Sequence, residues 1–288
     1  MRCEATADPS AFLDLTSGFL LSDPVANNVL ITNIAARRDG AVTDPAPATY
    51  AAVLDEAGRV VGAAMRTPPH MVALSPMPVE AIAPLVEALV ERCPDAAGVS
   101  GMAAGAEAFA AGWTARTGAA LSVARHERLY RLDSVVAPPA PPGAWRLAVP
   151  DERDLLAAWL RAFEVEVGLP ASPSAERDVE WRIADRRAFV WVDGAPVCLV
   201  CTSRPAGGVV RIGPVYTPPE SRRRGYAAAL VAAGSQRALD DGAALCSLYT
   251  DLGNPTSNGI YLAVGYRPVA DVTAYRFEPA RSDPRSSG

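Results

Sequence analysis

The sequence predicts an α/β protein built from two domains. Three observations carry this: the length, a proline-rich break near the middle, and an alternation of strand and helix signals on both sides of it. A chain of 288 residues holds two domains on the usual scale of ~150 residues each. Val136-Ala-Pro-Pro-Ala-Pro-Pro-Gly143 places four prolines in eight residues. Proline fixes φ and removes a ladder donor, so this stretch reads as a linker. The expected organisation is a first domain at 1–135, a linker at 136–143, a second domain at 144–277 and a flexible tail at 278–288.

Beyond the linker the elements follow in order. Residues 145–148 read as a strand. Pro150 with Asp151 and Glu152 marks a helix start, since proline suits the first helical position and acids suit the dipole, and the helix runs to about Phe163. Ser174 is the N-cap candidate of a second helix that reaches Asp185. Residues 188–192 and 196–202 flank Asp193-Gly194 and read as a hairpin. A strand at 209–216 precedes a helix at 221–239, which ends at Asp241-Gly242. Residues 244–250 are an apolar strand, 256–264 a short helix stopped by Gly265, and 266–277 one or two closing strands. The order is β-α-α-β-β-β-α-β-α-β.

The first half carries a similar order. Residues 50–54 and 59–65 form a hairpin turning near Gly58, followed by a strand at 70–74, a helix at 79–92, a strand at 98–100, a helix at 104–116 and a strand at 121–132. The chain therefore reads as an internal repeat.

Composition bounds the function. An apolar fraction of 50% with 20% charged residues fits a soluble globular protein. No apolar stretch approaches the ~20 residues that span a bilayer. The net charge of −5 contains no basic block, which argues against general nucleic-acid binding. All 27 basic residues are arginine, a mark of GC-rich codon usage. Five scattered cysteines with no secretory segment ahead of them point to a reduced cytoplasmic protein. Cys198 and Cys201 lie three apart in an apolar run, so along a strand they face opposite ways and read as buried structural thiols. His70 and His126 stand alone, and no metal is expected.

The informative segment is Val215-Tyr-Thr-Pro-Pro-Glu-Ser-Arg222-Arg-Arg-Gly225-Tyr-Ala227, a strand end, a turn and a helix start. Gly225 has no Cβ and Ala227 a small one, so the main chain stays uncrowded where unpaired helical N–H groups point outward. With the helix dipole and the neighbouring arginines they make a phosphate cradle. A second segment, Asn254-Pro-Thr-Ser-Asn258-Gly-Ile-Tyr261-Leu-Ala-Val-Gly265-Tyr266, follows the next strand.

At these two segments the sequence resembles the GNAT (GCN5-related N-acetyltransferase) superfamily, over roughly residues 144–277. The resemblance implies two GNAT-like domains, each a mixed, mostly antiparallel central sheet flanked by helices, the first copy degenerate. It implies acetyl-CoA or another acyl-CoA as co-substrate and no metal. The backbone amides of Arg223, Arg224, Gly225, Tyr226 and Ala227 with the Arg222 side chain would hold the diphosphate. Main-chain groups of Gly213, Val215 and Thr217 would pair with the pantetheine arm, Asn258 would hydrogen-bond it, and Asn254 would belong to the same cofactor-binding set. Tyr261 would protonate the departing thiolate, and the Val215 amide would polarise the thioester carbonyl.

The base is open: the strand at 209–216 has no carboxylate, which leaves Asp251, Glu164 or Glu166 through water, or an amine that arrives neutral. The acceptor is expected to be a small-molecule amine, its pocket built in part from residues 163–181. A carrier-protein thioester or an aminoacyl-tRNA is the alternative donor, and a non-catalytic CoA-binding sensor or scaffold is a reading of a different class. In the first half, Leu74-Ser-Pro-Met-Pro-Val-Glu80 stands where the cradle should be, and its prolines remove donors. That copy is expected to shape the acceptor pocket or to mediate assembly, a homodimer among the options.

Overall fold

The computed structural model describes residues 1–42, 44–169, 172 and 174–278. The expected tail at 278–288 lies, apart from Glu278, outside them.

The first half contains β1 (Arg2–Thr6), α1 (Pro9–Ser22), α2 (Asn28–Arg38), β2 (Thr49–Leu54), β3 (Val60–Arg66), β4 (Val72–Leu74), α3 (Ile82–Arg92), β5 (Gly98–Met102), α4 (Ala103–Thr117) and β6 (Ala120–Leu132). The second contains β7 (Ala144–Leu147), α5 (Arg153–Glu166), α6 (Ala175–Ala184), β8 (Ala188–Asp193), β9 (Ala195–Thr202), β10 (Val209–Tyr216), α7 (Tyr226–Asp240), β11 (Leu245–Asp251), α8 (Pro255–Val264) and β12 (Arg267–Glu278). The two series match element for element. The strand pairing repeats as well: β1 to β4 are successively antiparallel and β4 pairs β5 in parallel, as β7 to β10 are antiparallel and β10 pairs β11 in parallel.

Three elements at the start, β1, α1 and α2, escaped the sequence reading. Asp8 caps α1 by accepting from the N–H groups of Ser10 and Ala11, and Pro9 occupies the first turn. Both are helix-start signals, but α1 also exposes Leu15 and Leu21, which blurs its apolar stripe.

The chain forms two compact units, Met1–Arg128 with the segment from Ala270 onward, and Leu129–Val269. The division thus falls inside β6 and β12, whereas the sequence placed it at the proline-rich 136–143. Backbone pairing explains the difference. In unit 1, β12 lies beside β5, with Val272 opposite Met102 through Arg276 opposite Gly98. In unit 2 the strand order is β6-β11-β10-β9-β8-β7, so the end of β6 occupies the place next to β11. Prolines set where the backbone cannot donate; they do not choose its partner strand.

Unit 1 packs α3 and α4 on its sheet through Leu85, Val86, Phe109 and Trp113, with Phe277 of β12 stacked on Trp113 at 5.0 Å. Unit 2 has an apolar layer on each face of its sheet. Cys198, Val200, Val210, Ile212, Cys246 and Leu248 meet α7 and α8 on one face. Leu199, Cys201 and Val190 meet α5 and α6 on the other. Cys198 and Cys201 are free, buried, and on opposite faces.

Removing the Phe277 ring leaves a hole beside Trp113. We expect Phe277→Ala to destabilise the protein by about 3–5 kcal/mol, read as a lower denaturant midpoint; an unchanged midpoint would mean that β12 is dispensable to unit 1.

Candidate active site

The site begins where two strands that pair cease to do so. β10 and β11 are joined only at Val209 with Leu245, Val210 with Cys246 and Arg211 with Ser247. Beyond Arg211, β10 runs to Tyr216 and β11 to Asp251 without pairing each other. On its other edge β10 remains held by β9, through Ile212 with Thr202, Val215 with Val200 and Tyr216 with Leu199, and its register shifts between Ile212 and Val215. Such a bulge bends its strand locally. Gly213 sits in it at φ 140°, and the Gly213–Pro214 peptide is cis. The opening is therefore lined along one side by the main chain that carries Gly213, Val215 and, just beyond, Thr217.

That opening leads to the start of α7. The sequence predicted a helix from residue 221, but α7 begins at Tyr226 because the preceding chain turns in conformations no helix contains: Arg223 has φ 62° and Gly225, the N-cap, φ 86°. No side chain caps the helix. Its first N–H groups are thus available at the positive end of a 15-residue helix. Arg223, Arg224 and Gly225 are exposed, and a Cβ built at Gly225 meets only Pro141, at 3.8 Å. Glycine is required here by φ rather than by crowding. These features fit a diphosphate.

Several side chains expected at the ligand are engaged within the protein. Arg222 donates from Nε to the Thr217 carbonyl at 2.8 Å and from Nη2 to both Glu166 oxygens at 2.6 and 2.8 Å, tying the loop before α7 to the end of α5. Asn254 caps α8, accepting from the Ser257 N–H at 3.0 Å. Asn258 donates to the carbonyls of Asp251 and Asn254, each at 2.8 Å, and accepts from the Tyr130 hydroxyl at 2.7 Å. The Thr217 hydroxyl donates to the Cys198 thiol at 3.2 Å. Tyr226 buries its ring and hydrogen-bonds the Asp193 carboxylate, while Ala227 is half-buried. For Thr217, Tyr226 and Asn258 the main chain, not the side chain, is what remains to meet a ligand.

Tyr261 is different. Its ring is 8% exposed and lies between Tyr130, at 6.4 Å, and Tyr266, at 6.0 Å. Its hydroxyl makes no hydrogen bond among the described residues, yet it is not a sealed-in polar atom. Burial pushes its ionisation well up, with a smaller contribution from Cys198, so it stays a protonated donor at neutral pH. The same burial acts on sulfur, pushing the Cys198 thiol up to about 12. A thiolate forming beside Tyr261 would be made more basic too, which preserves the match between donor and acceptor.

The three candidate bases separate clearly. Glu166 is held by Arg222. Asp251 is exposed and accepts from the Gly253 N–H at 2.7 Å. Glu164, on α5, is half-buried and accepts from the Ser172 N–H at 2.7 Å; burial raises its carboxyl above the usual range, more than that hydrogen bond lowers it.

The sequence reading passed over Arg182, Arg211, Ser247 and Tyr130. Arg211 is a lone charge in an otherwise apolar strand, which was the available signal. Tyr130 belongs to the first half by sequence and reaches Asn258 only because the end of β6 lies in unit 2.

A profile of the acetyltransferase (GNAT) family matches residues 153–266. A GCN5-related N-acetyltransferase from Sphaerobacter thermophilus superposes with a TM-score of 0.61 at 19% identity, over 96% of this chain and 95% of its own. A GNAT-family acetyltransferase from Colwellia psychrerythraea gives 0.61 at 11% identity, over 96% and 100%. A tandem GNAT protein from the clavulanic acid biosynthesis pathway gives 0.58 at 18% identity, over 98% and 100%. At these identities the likeness is one of fold. No curated protein matches the sequence. Among the described residues no helix is long and apolar enough to cross a membrane. The parted strands and the glycine-capped helix start lie within residues 153–266, which match the GNAT family, and the chain as a whole has the fold of a tandem GNAT protein.

Proposed function

We propose that the protein transfers an acyl group from an acyl-CoA to the primary amine of a small molecule by direct attack. The observation that carries this reading is the end of β10–β11 pairing at Arg211 and Ser247, which leaves a strand edge of main-chain groups leading to the uncapped start of α7. An extended amide-bearing chain with a diphosphate at one end fits that path. The amides at 223–227 bind the diphosphate, and the β10 main chain from Gly213 to Thr217 aligns the arm behind it. Of the Thr217 groups, the carbonyl already accepts from Arg222, so its amide is the one available.

Acyl transfer then needs little more than alignment and proton management. Glu164 takes the proton of the incoming ammonium, the amine nitrogen bonds to the acyl carbon as the carbon–sulfur bond breaks, Tyr261 gives its proton to the departing sulfur, and the second proton that the nitrogen sheds on becoming an amide restores Tyr261. The Val215 amide stabilises charge on the carbonyl oxygen. Glu164 suits the task because its raised carboxyl is nearer to neutral pH than an exposed one. The first copy has no equivalent cradle. After β4 the chain passes through Pro76 and Pro78, and Met77 packs against the apolar core of unit 1.

Three measurements test this reading. Tyr261→Phe should lower kcat about a hundredfold with little change in KM for acetyl-CoA, assayed by thiol release; an unchanged kcat removes Tyr261 from the mechanism. Glu164 must be ionised to act, so kcat/KM should rise with pH through an apparent value above the ordinary carboxylate range, and Glu164→Gln should abolish that limb. Calorimetry should find one acetyl-CoA per chain, and Gly225→Val should weaken it about tenfold, since a branched residue at positive φ costs about 1–3 kcal/mol. Two sites per chain, or undiminished affinity in the variant, would contradict the cradle assigned here.

A further inference from the structure

On the α5/α6 face of the unit 2 sheet, charge stands where alternation calls for apolar side chains. Val210 and Ile212 of β10 face the α7 core, so Arg211 between them faces α5 and α6. Cys246 and Leu248 place Ser247 on that same face by the same rule, directly beside Arg211. Cys201 of β9 belongs to this face too. Arg182 reaches it from α6, close enough to Cys201, Arg211 and Glu164 to influence the ionisation of all three.

Two of these residues carry polar atoms that the other described residues do not answer. Arg182 Nε and Nη1 are buried without a partner among the described residues, and so is the hydroxyl of Ser247, a residue that is 0% exposed. Burying a guanidinium with unanswered donors is costly, and a methionine or leucine would fill the space without that cost. The carboxylates nearby are engaged elsewhere: Glu164 by the Ser172 N–H, Asp178 by the hydroxyls of Ser172 and Ser174, and Asp185 by Arg187 and Arg204. Arg211 adds a second positive charge, and desolvation pulls its guanidinium below the ordinary value. The arrangement sits at Arg211 and Ser247, the last pair before β10 and β11 part, at the closed end of the opening along which the acyl arm would lie.

We propose that the acceptor amine carries an oxyanion as well, a carboxylate or a phosphate-type group, and that Arg182, Arg211 and Ser247 bind it in the apex of the opening between β10 and β11. This rests on the acyl-transfer reading above and narrows its acceptor to an amine with an acidic group, such as an amino acid. Arg182 supplies the unanswered donors, Arg211 the supporting charge, and Ser247 a neutral donor that shortens nothing when the ligand leaves. Charge-assisted hydrogen bonds of this kind discriminate strongly, because an uncharged analogue leaves the guanidinium buried and unanswered.

The test is a matched panel: amino acids, their carboxamides, the amines that lack the acid, and the corresponding aminophosphonates. Thiol release from acetyl-CoA is followed for the natural chain, Arg182→Gln and Ser247→Ala. We expect the acids to exceed their amides by about tenfold or more in kcat/KM, and the phosphonates to show which oxyanion fits. Arg182→Gln should collapse that preference while KM for acetyl-CoA is kept, with Ser247→Ala intermediate. Amides as good as acids, or a preference that survives Arg182→Gln, would overturn the proposal and leave acyl transfer standing. A parallel arm uses no turnover: the panel acids should raise the melting temperature of the natural chain more than the amides do, and Arg182→Gln should lose that difference. If no amine releases thiol, acyl transfer falls, and the melting arm alone decides the oxyanion site: no acid-specific shift, or an equal one in the variant, refutes it.

Discussion

Everything at the candidate site follows from the brevity of the β10–β11 ladder. Parallel neighbours in a buried sheet normally pair along their shared length, because an unpaired backbone group inside a protein costs about as much as a lost hydrogen bond. Here pairing stops at Arg211 and Ser247. The bulge in β10 makes this tolerable, since its far edge stays bonded to β9 while the near edge swings away. A strand edge held open in this way is a template for an extended ligand, in the same sense that an exposed sheet edge is a template for another strand. The positive end of α7 lies at the mouth of this gap and supplies the charge that such a ligand would need at its far end.

The gap stays open because its rims are braced, and the braces are residues that the motif reading assigned to the ligand. Arg222 ties the loop before α7 to Glu166. Asn258 ties the end of β11 to the first turn of α8 and receives Tyr130 from β6. Both act through several hydrogen bonds at once, three of them to the main-chain carbonyls of Thr217, Asp251 and Asn254. A motif can recur because a residue touches the ligand or because it holds the backbone that does; the spacing of residues along the chain is the same in either case. Only the three-dimensional partners separate the two roles.

This also sets what could be read from the sequence. The order of elements after residue 49 was legible because each segment carries its own punctuation, as Asp193-Gly194 does between β8 and β9 and Gly265 does after α8. The break before α7 was marked by Gly225, whose positive φ at the N-cap is a local requirement. The start of α7 was misplaced by several residues, because Ser221 and the arginines after it are adequate helix formers and nothing local announces that Arg223 takes positive φ. The partners of β6 and β12 were illegible for a different reason: their alternation fits any strand with an apolar face, so the choice between β5 and β11 is made by tertiary packing. Arg182 and Ser247 were missed because neither is unusual alone; what is unusual is that both are buried and unanswered.

The division of β6 and β12 between units bears on how far the two repeats depend on each other's sequence. Unit 1 takes its strand beside β5 from the far end of the chain, and unit 2 takes the strand beside β11, with Tyr130, from residues before the proline-rich segment. Neither half of the sequence therefore contains a complete unit. The first half cannot be removed without loss to unit 2, because its last strand carries the hydroxyl that fixes Asn258.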